Sequence, residues 1–250
     1  MKLRRPAILR RAVRGIARTV AHGQGMRLHL PFFAVSAIHL AAKLVEQDEL
    51  AAITKTLLMP ALALVLVVGL GRDGRWPTWG RLAVVGVFFS WLGDLALIGE
   101  GDVFFLSGVG LFAVAQLAYA FTFRAAGEAT RTAGRPWLLV PYVAWWLALV
   151  AFFVAGEGIT PLLGALALYG ILLGTMAWLA NRISTATAIG AALFVLSDSL
   201  IALGGLGGLE LPLHGFWVML TYLAAQWLIV RGLLLRSSPS ATSAASTPSA

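Results

Sequence analysis

The sequence has no cysteine. Disulfides, thiolate nucleophiles and Cys-ligated metals are therefore excluded, and the redox compartment is left open. Charge is scarce as well: 12% of the 250 residues are Asp, Glu, Lys or Arg, about half of what a soluble domain of this length carries. The histidines are few and scattered, at His22, His29, His39 and His214. They form no HExxH or paired spacing, so a catalytic zinc has no support and no metal site is expected. A GxSxG elbow and a Walker loop are both missing, and no cofactor is expected.

What fills the chain instead is apolar. Hydrophobic residues make up 59% of it, and they fall into blocks of about 18–23 residues, the length that crosses a hydrocarbon core of about 30 Å as a helix. Barrel strands would be alternating runs of about ten residues. The fold class is therefore all-α, a polytopic membrane helical bundle. Reading the runs between Gly- and Pro-containing connections gives eight transmembrane helices, at 29–45, 50–70, 82–99, 103–123, 137–155, 159–180, 186–205 and 213–235. The connections are short, which makes consecutive helices antiparallel neighbours.

The charges test that count. With the basic N-terminus inside, inner loops carry Arg72, Arg75 and Arg81, then Arg124, Arg131 and Arg135, then Arg182, with Arg231 and Arg236 near the inner end of the last span. Outer loops carry Glu46, Asp48 and Glu49, then Glu100 and Asp102, then Glu157, then Glu210. Lys43 alone is basic near an outer end. Merging or splitting one span would scramble this separation, which is the positive-inside pattern. Both termini are expected to be cytoplasmic, in a multi-pass protein of the cell (inner) membrane.

Three regions follow. Residues 1–28 form a basic arm in which Ile8, Ala12, Ile16 and Val20 recur at helical spacing between arginines. Such an amphipathic helix would lie on an anionic leaflet. Basic flanks are common in membrane proteins, so nucleic acid is not an expected partner. The same Arg-rich, acid-free start also resembles an organelle transit peptide, whereas a secretory signal would need an apolar core before Leu28. Residues 29–236 are the eight-helix domain, and residues 237–250, beginning "SSPSATSAAS", read as a disordered tail.

Few ionisable groups remain at membrane depth: His39, Lys55, Asp94 and Asp198. An intramembrane charge costs a few kcal/mol, on the order of 3, on insertion scales. One Asp in such a helix serves readily as a structural hydrogen-bond anchor. Two at similar depth, with Lys55 and His39 at the same level, point to a shared cavity. Ser90 lies one turn before Asp94, and Ser197 and Ser199 flank Asp198. Gln116 with Tyr119, and Tyr222 with Gln226, share helix faces at i, i+3 and i, i+4. These pairs suit interhelical contacts as well as substrate binding. Trp137, Trp145, Trp146, Trp217 and Trp227 read as interface anchors or lipid-facing bulk. With no nucleophile or metal motif, the chemistry left open is general acid–base work by a carboxylate pair.

"TKTLLMP" around Lys55, "SWLGDLAL" around Asp94, "FFLSGVGLFAVAQLAYAFTF", "GAALFVLSDSLIAL" around Asp198 and "TYLAAQWLIV" occur in that order between Leu30 and Gly232. In this the chain resembles the YhhN/TMEM86 family of multipass membrane proteins, whose characterised members are lysoplasmalogenases. Two positions depart from the family pattern: Thr56 stands where Pro usually follows the lysine, and Gln116 stands where many members carry His. An amide does not titrate, so Gln116 cannot donate a proton in that histidine's place.

The resemblance implies a lysophospholipid substrate and hydrolysis of the vinyl ether bond of a lysoplasmalogen to a fatty aldehyde and a glycerophospho-ethanolamine or -choline. That reaction needs a protonated acid, a base, and a negative charge near a developing oxocarbenium ion. Asp94 and Asp198 are the expected catalytic residues. Lys55, Ser90, Gln116, Tyr119, Ser197, Ser199, Tyr222 and Gln226 are the expected substrate-binding groups. A transporter or lipid-binding protein using the same polar cavity is the alternative; the faint echo between "FSWLGDLAL" and "FVLSDSLIAL", four helices apart, fits either reading.

Overall fold

The computed structural model describes residues 27–71, 76–133 and 135–237. Apart from Arg27 and Leu28 the basic arm lies outside these residues, as do the tail beyond Ser237 and the loop arginines Arg72 and Arg75. Among the described residues the chain forms eight α-helices and no strand. They are α1 (27–44), α2 (Asp48–Gly71), α3 (Gly80–Ala96), α4 (Asp102–Ala126), α5 (Val140–Glu157), α6 (Pro161–Ala180), α7 (Thr185–Gly205) and α8 (His214–Ser237). Each corresponds to one expected span. Six of them, α2 and α4 to α8, are long and apolar enough to cross a bilayer, so the chain is a multi-pass membrane protein. α3 has 17 residues, about 25 Å of helix, and α1 is likewise not among the six.

The ends of the elements follow local chemistry. Thr160 and Ser184 cap α6 and α7, each accepting a hydrogen bond at 3.1 Å from the backbone N–H three residues on, which satisfies a donor the first helical turn leaves free. Pro141 lies in the first turn of α5 and Pro161 in that of α6, where no intrahelical N–H is needed. Gly158 closes α5 at φ 75°, in the left-handed region a side chain would disfavour. The fifth span starts later than its apolar run, because Pro136–Leu139 form a 3₁₀ turn.

Two antiparallel pairs, α3 with α4 and α7 with α8, pack most extensively. α2 bridges them by contacting α3 and α8, and α6 sits against α4, α5 and α7. The shared core is filled by Leu58, Leu62, Tyr119, Phe123, Phe194 and Ile229. α5 is peripheral: Phe153 is its only buried side chain among the described residues. At the opposite end from the acidic loops, the last turn of α8 returns to the end of α4, with Arg236 Nε donating to the Ala126 carbonyl at 3.1 Å and Nη1 to Glu128 at 2.6 Å. The Glu128 N–H donates to the Arg182 carbonyl at 2.9 Å. The ends of α4, α6 and α8 thus share one face, as strict up-and-down alternation requires.

Candidate functional site

The opposite face opens into a cavity of about 620 Å³ among α1, α2, α3, α4, α7 and α8. Its mouth is charged, with Lys43, Asp48, Glu100 and Glu210 on the rim, and Lys43 pairs with Asp48 at 3.3 Å. Deeper groups are His39, Lys55, Asp94, Asp198, Ser197 and Tyr222. The four ionisable groups expected at one level therefore do border one space.

Asp94 is 2% exposed and sits in the last turn of α3, which ends at Ala96 rather than at the expected Gly99. The carbonyl end of a helix disfavours a negative charge, and two neighbours offset this. Tyr222 Oη donates to Asp94 Oδ2 at 2.8 Å. Lys55 lies near enough to interact electrostatically, without direct ion-pair contact. The tyrosine is itself held from behind: Gln226 Nε2 donates to its hydroxyl at 3.4 Å, and Tyr119 Oη donates to Gln226 Oε1 at 2.6 Å. Glycines on α3 make this chain possible. A Cβ at Gly86 would fall 2.7 Å from the Tyr119 ring, and one at Gly93 2.8 Å from the Phe112 ring. The space beside Asp94 is thus taken by a neighbouring helix.

Asp198 sits mid-helix in α7 and accepts a hydrogen bond at Oδ2 from Tyr169 of α6. Its Oδ1 is buried with no protein partner. Each carboxylate is therefore fixed through one oxygen by a tyrosine from another helix, and the two are close enough to interact electrostatically. Ser197 Oγ donates to the Val218 carbonyl at 3.1 Å, tying α7 to α8. Ser199 donates to the Val195 carbonyl at 2.6 Å and accepts from Trp145 Nε1 at 2.8 Å.

Not every expected binding group borders the cavity. Asp94, Asp198, Lys55, Ser197 and Tyr222 do, whereas Ser90, Gln116, Tyr119 and Gln226 lie in the packed layer behind them. Ser90 Oγ and both amide atoms of Gln116 are buried without partners, Ser90 beside the Tyr119 hydroxyl and Gln116 beside that of Tyr169. Ser199 borders a second, apolar cavity that adjoins the first at Asp198. Sequence reasoning missed Tyr169, although it is a lone hydroxyl in the run "GALALYGILLG". It also missed Thr54, whose Oγ1 is 2.9 Å from His39 Nδ1. Trp145 and Trp146, read as interface anchors or lipid-facing bulk, also donate their indole N–H groups to Ser199 Oγ and the Ala167 carbonyl. Among the described residues no group of three His, Asp or Glu side chains is placed to hold a metal ion.

Comparison with known proteins agrees with the motifs gathered around this cavity. Lysoplasmalogenase TMEM86A of Bos taurus is 31% identical over 220 residues, covering 84% of this chain and 90% of that protein. No solved structure matches the chain. The YhhN family model matches residues 50–233, which include Lys55, both aspartates and both tyrosines that hold them. The chain belongs to the YhhN family.

Proposed function

We propose that the protein is a membrane-embedded hydrolase of the vinyl ether bond of lysoplasmalogens. One observation carries this reading: two carboxylates on separate helices, each held by a tyrosine, border one polar cavity together with a lysine. A lysophospholipid would place its phosphate near Lys55, which acts as a point charge, and its alkenyl ether between Asp94 and Asp198. Asp198 delivers a proton from Oδ1, the oxygen no protein group occupies, to the β-carbon of the alkenyl chain. The double-bond electrons form the new C–H bond, and the positive charge is shared between the α-carbon and the ether oxygen. Asp94, facing Lys55, supplies the negative charge that stabilises this cation, and it takes a proton from the water that attacks the α-carbon. The hemiacetal then collapses: the C–O bond to glycerol breaks as Asp94 passes its proton to the glycerol oxygen, Asp198 takes the hydroxyl proton, and a fatty aldehyde is left with both carboxyl groups back in their starting states. Overall, one water is consumed, and an aldehyde and a glycerophospho-base are formed.

The family relationship supports the substrate class. A transport path is less well supported, because the layer below the aspartates is filled by Tyr119, Phe123, Phe194 and Leu62. On this reading α1 and α3 also cross the membrane and both termini are cytoplasmic. The basic arm then rests on the anionic inner leaflet, and the cavity opens on the acidic, outer face of the cell membrane.

The test is incubation of purified protein with a panel of lyso-lipids and detection of released aldehyde by mass spectrometry. Asp94→Asn and Asp198→Asn proteins with wild-type thermal unfolding should each lose about 10²–10⁴-fold in rate, the range for an acid–base group. Wild-type rates in both would end the proposal.

A further inference from the structure

Asp198 separates two unlike spaces. On one side lies the polar cavity of about 620 Å³; on the other, an apolar cavity of about 50 Å³ is lined by α4, α5, α6 and α7. The two share Leu97, Phe105, Phe112, Asp198 and Ile201 in their walls. Beyond them the apolar cavity is bounded by Trp145, Leu149 and Phe153 of α5, by Leu166 and Leu173 of α6, and by Ala202 of α7.

The wall toward the bilayer is α5, and its attachments are unequal. Against α6 it packs closely: Trp146 Nε1 donates to the Ala167 carbonyl at 2.9 Å, and its ring rests where a Cβ on Gly170 would come within 2.8 Å. Toward α7 it reaches across by the hydrogen bond from Trp145 Nε1 to Ser199 Oγ, one residue from Asp198. The α6 side is thus held by close packing, and the α7 side by one hydrogen bond and by Phe152 beside Gly207 just past α7.

We propose that this apolar cavity receives the hydrocarbon chain of a single-chain lipid, which enters sideways as α5 swings away from α7 about its α6 contact. The proposal rests on the hydrolase reading for the identity of the lipid. Continuity at Asp198 singles out this occupant: a molecule with its polar end in the larger cavity must send its apolar end past Phe105 and Phe112 into the smaller one. At about 50 Å³ the cavity is narrow for a chain of a dozen methylenes, and movement of α5 would widen it. A chain lodged there would bring the bond next to the head group against Asp198.

The test uses the full chain in detergent and a lyso-alkyl-ether lipid, which has no vinyl ether to hydrolyse, carrying a diazirine at the chain end. Illumination should label peptides containing Leu149, Phe153, Leu166 or Leu173. A C16 lyso-ether should suppress this labelling far better than a C8 one. Ala202→Phe, which fills the cavity, should erase that preference, since each excluded methylene costs about fourfold in affinity at about 0.8 kcal/mol. Leu149→Trp fills the same space from α5 and replaces Ala202→Phe if that protein does not fold. Trp145→Phe keeps an aromatic side chain but removes the hydrogen bond to Ser199 and leaves more room in the cavity, and should speed labelling. Labelling confined to α1, α2 or α8, or an unchanged chain-length preference in the filled variants, would overturn the proposal. Labelling reads binding and aldehyde release reads turnover. Labelling in α5 and α6 without aldehyde release would condemn the hydrolase reading alone, and release with labelling elsewhere would condemn this one alone.

Discussion

Removing the hydroxyl of Tyr222 tests whether the buried chain of polar groups behind Asp94 positions that carboxylate. The Tyr222 ring packs edge-on against Phe112 and Phe194, with centroids 6.0 and 5.5 Å away. Tyr222→Phe therefore keeps the packing and deletes only the 2.8 Å bond to Asp94 and the 3.4 Å bond from Gln226. A hydrogen bond to a charged group contributes about 1.5–3 kcal/mol. If all of it acts in the transition state, aldehyde release falls by about 10- to 150-fold at about 1.4 kcal/mol per decade. Tyr119→Phe is the matched control. It deletes the 2.6 Å bond to Gln226, one step further from Asp94, and leaves the carboxylate's own partner in place. A bond between neutral groups is worth about 0.5–1.5 kcal/mol net, which lowers the thermal midpoint by a few degrees. Its rate should stay within about threefold of wild type, because no charge-bearing contact is lost. The assay pairs aldehyde release with thermal unfolding followed by tryptophan fluorescence. Equal rate losses in the two variants, or full activity in Tyr222→Phe, would refute the idea that the network acts through Asp94.

Two further outcomes are expected. Lys55→Met should raise KM for a phosphate-bearing lyso-lipid by about tenfold or more, as expected for a lost charge-assisted contact, and Lys55→Arg should recover part of that; a steady-state titration of both variants decides it. Gly93→Ala places a Cβ 2.8 Å from the Phe112 ring and should cost about 1–3 kcal/mol through overpacking, with activity falling alongside because Asp94 is the next residue. Gly110→Ala, whose Cβ meets nothing within 4 Å, should unfold at or slightly above the wild-type midpoint, and unequal unfolding in this order checks the pair.

The number and place of the helices were legible because apolar runs and loop charges are strong signals in a membrane chain. α4, expected at 103–123, runs Asp102–Ala126, and α7, expected at 186–205, runs Thr185–Gly205. Boundaries slipped where the apolar run outlasted the helix, as at the end of α3, or where proline delayed it, as before Val140. The inward face of each helix was not legible. When core and lipid are both apolar, no polar stripe marks the exposed side, so the periodicity that orients a soluble helix is weak. Asp94 and Asp198 were found because a buried charge stands out whatever its face. Tyr169 was missed because an aromatic ring reads as bulk until its partner is known. Gln116 and Tyr119 were found as polar pairs, but only the three-dimensional arrangement shows them behind the cavity wall.

The junction at Asp198 also bears on where the two halves of a cleaved lipid go. On the proposed reaction, an uncharged long-chain aldehyde formed there would have its tail in the apolar cavity and could diffuse past α5 into the bilayer interior. The glycerophospho-base carries a charged phosphate and no chain, and it would leave through the wide mouth toward water. A single acidic residue placed between a polar space and an apolar one would thus let the proposed reaction sort its products into different phases. Neither exit obstructs the other, and religation would require both products to return to the same point from opposite sides.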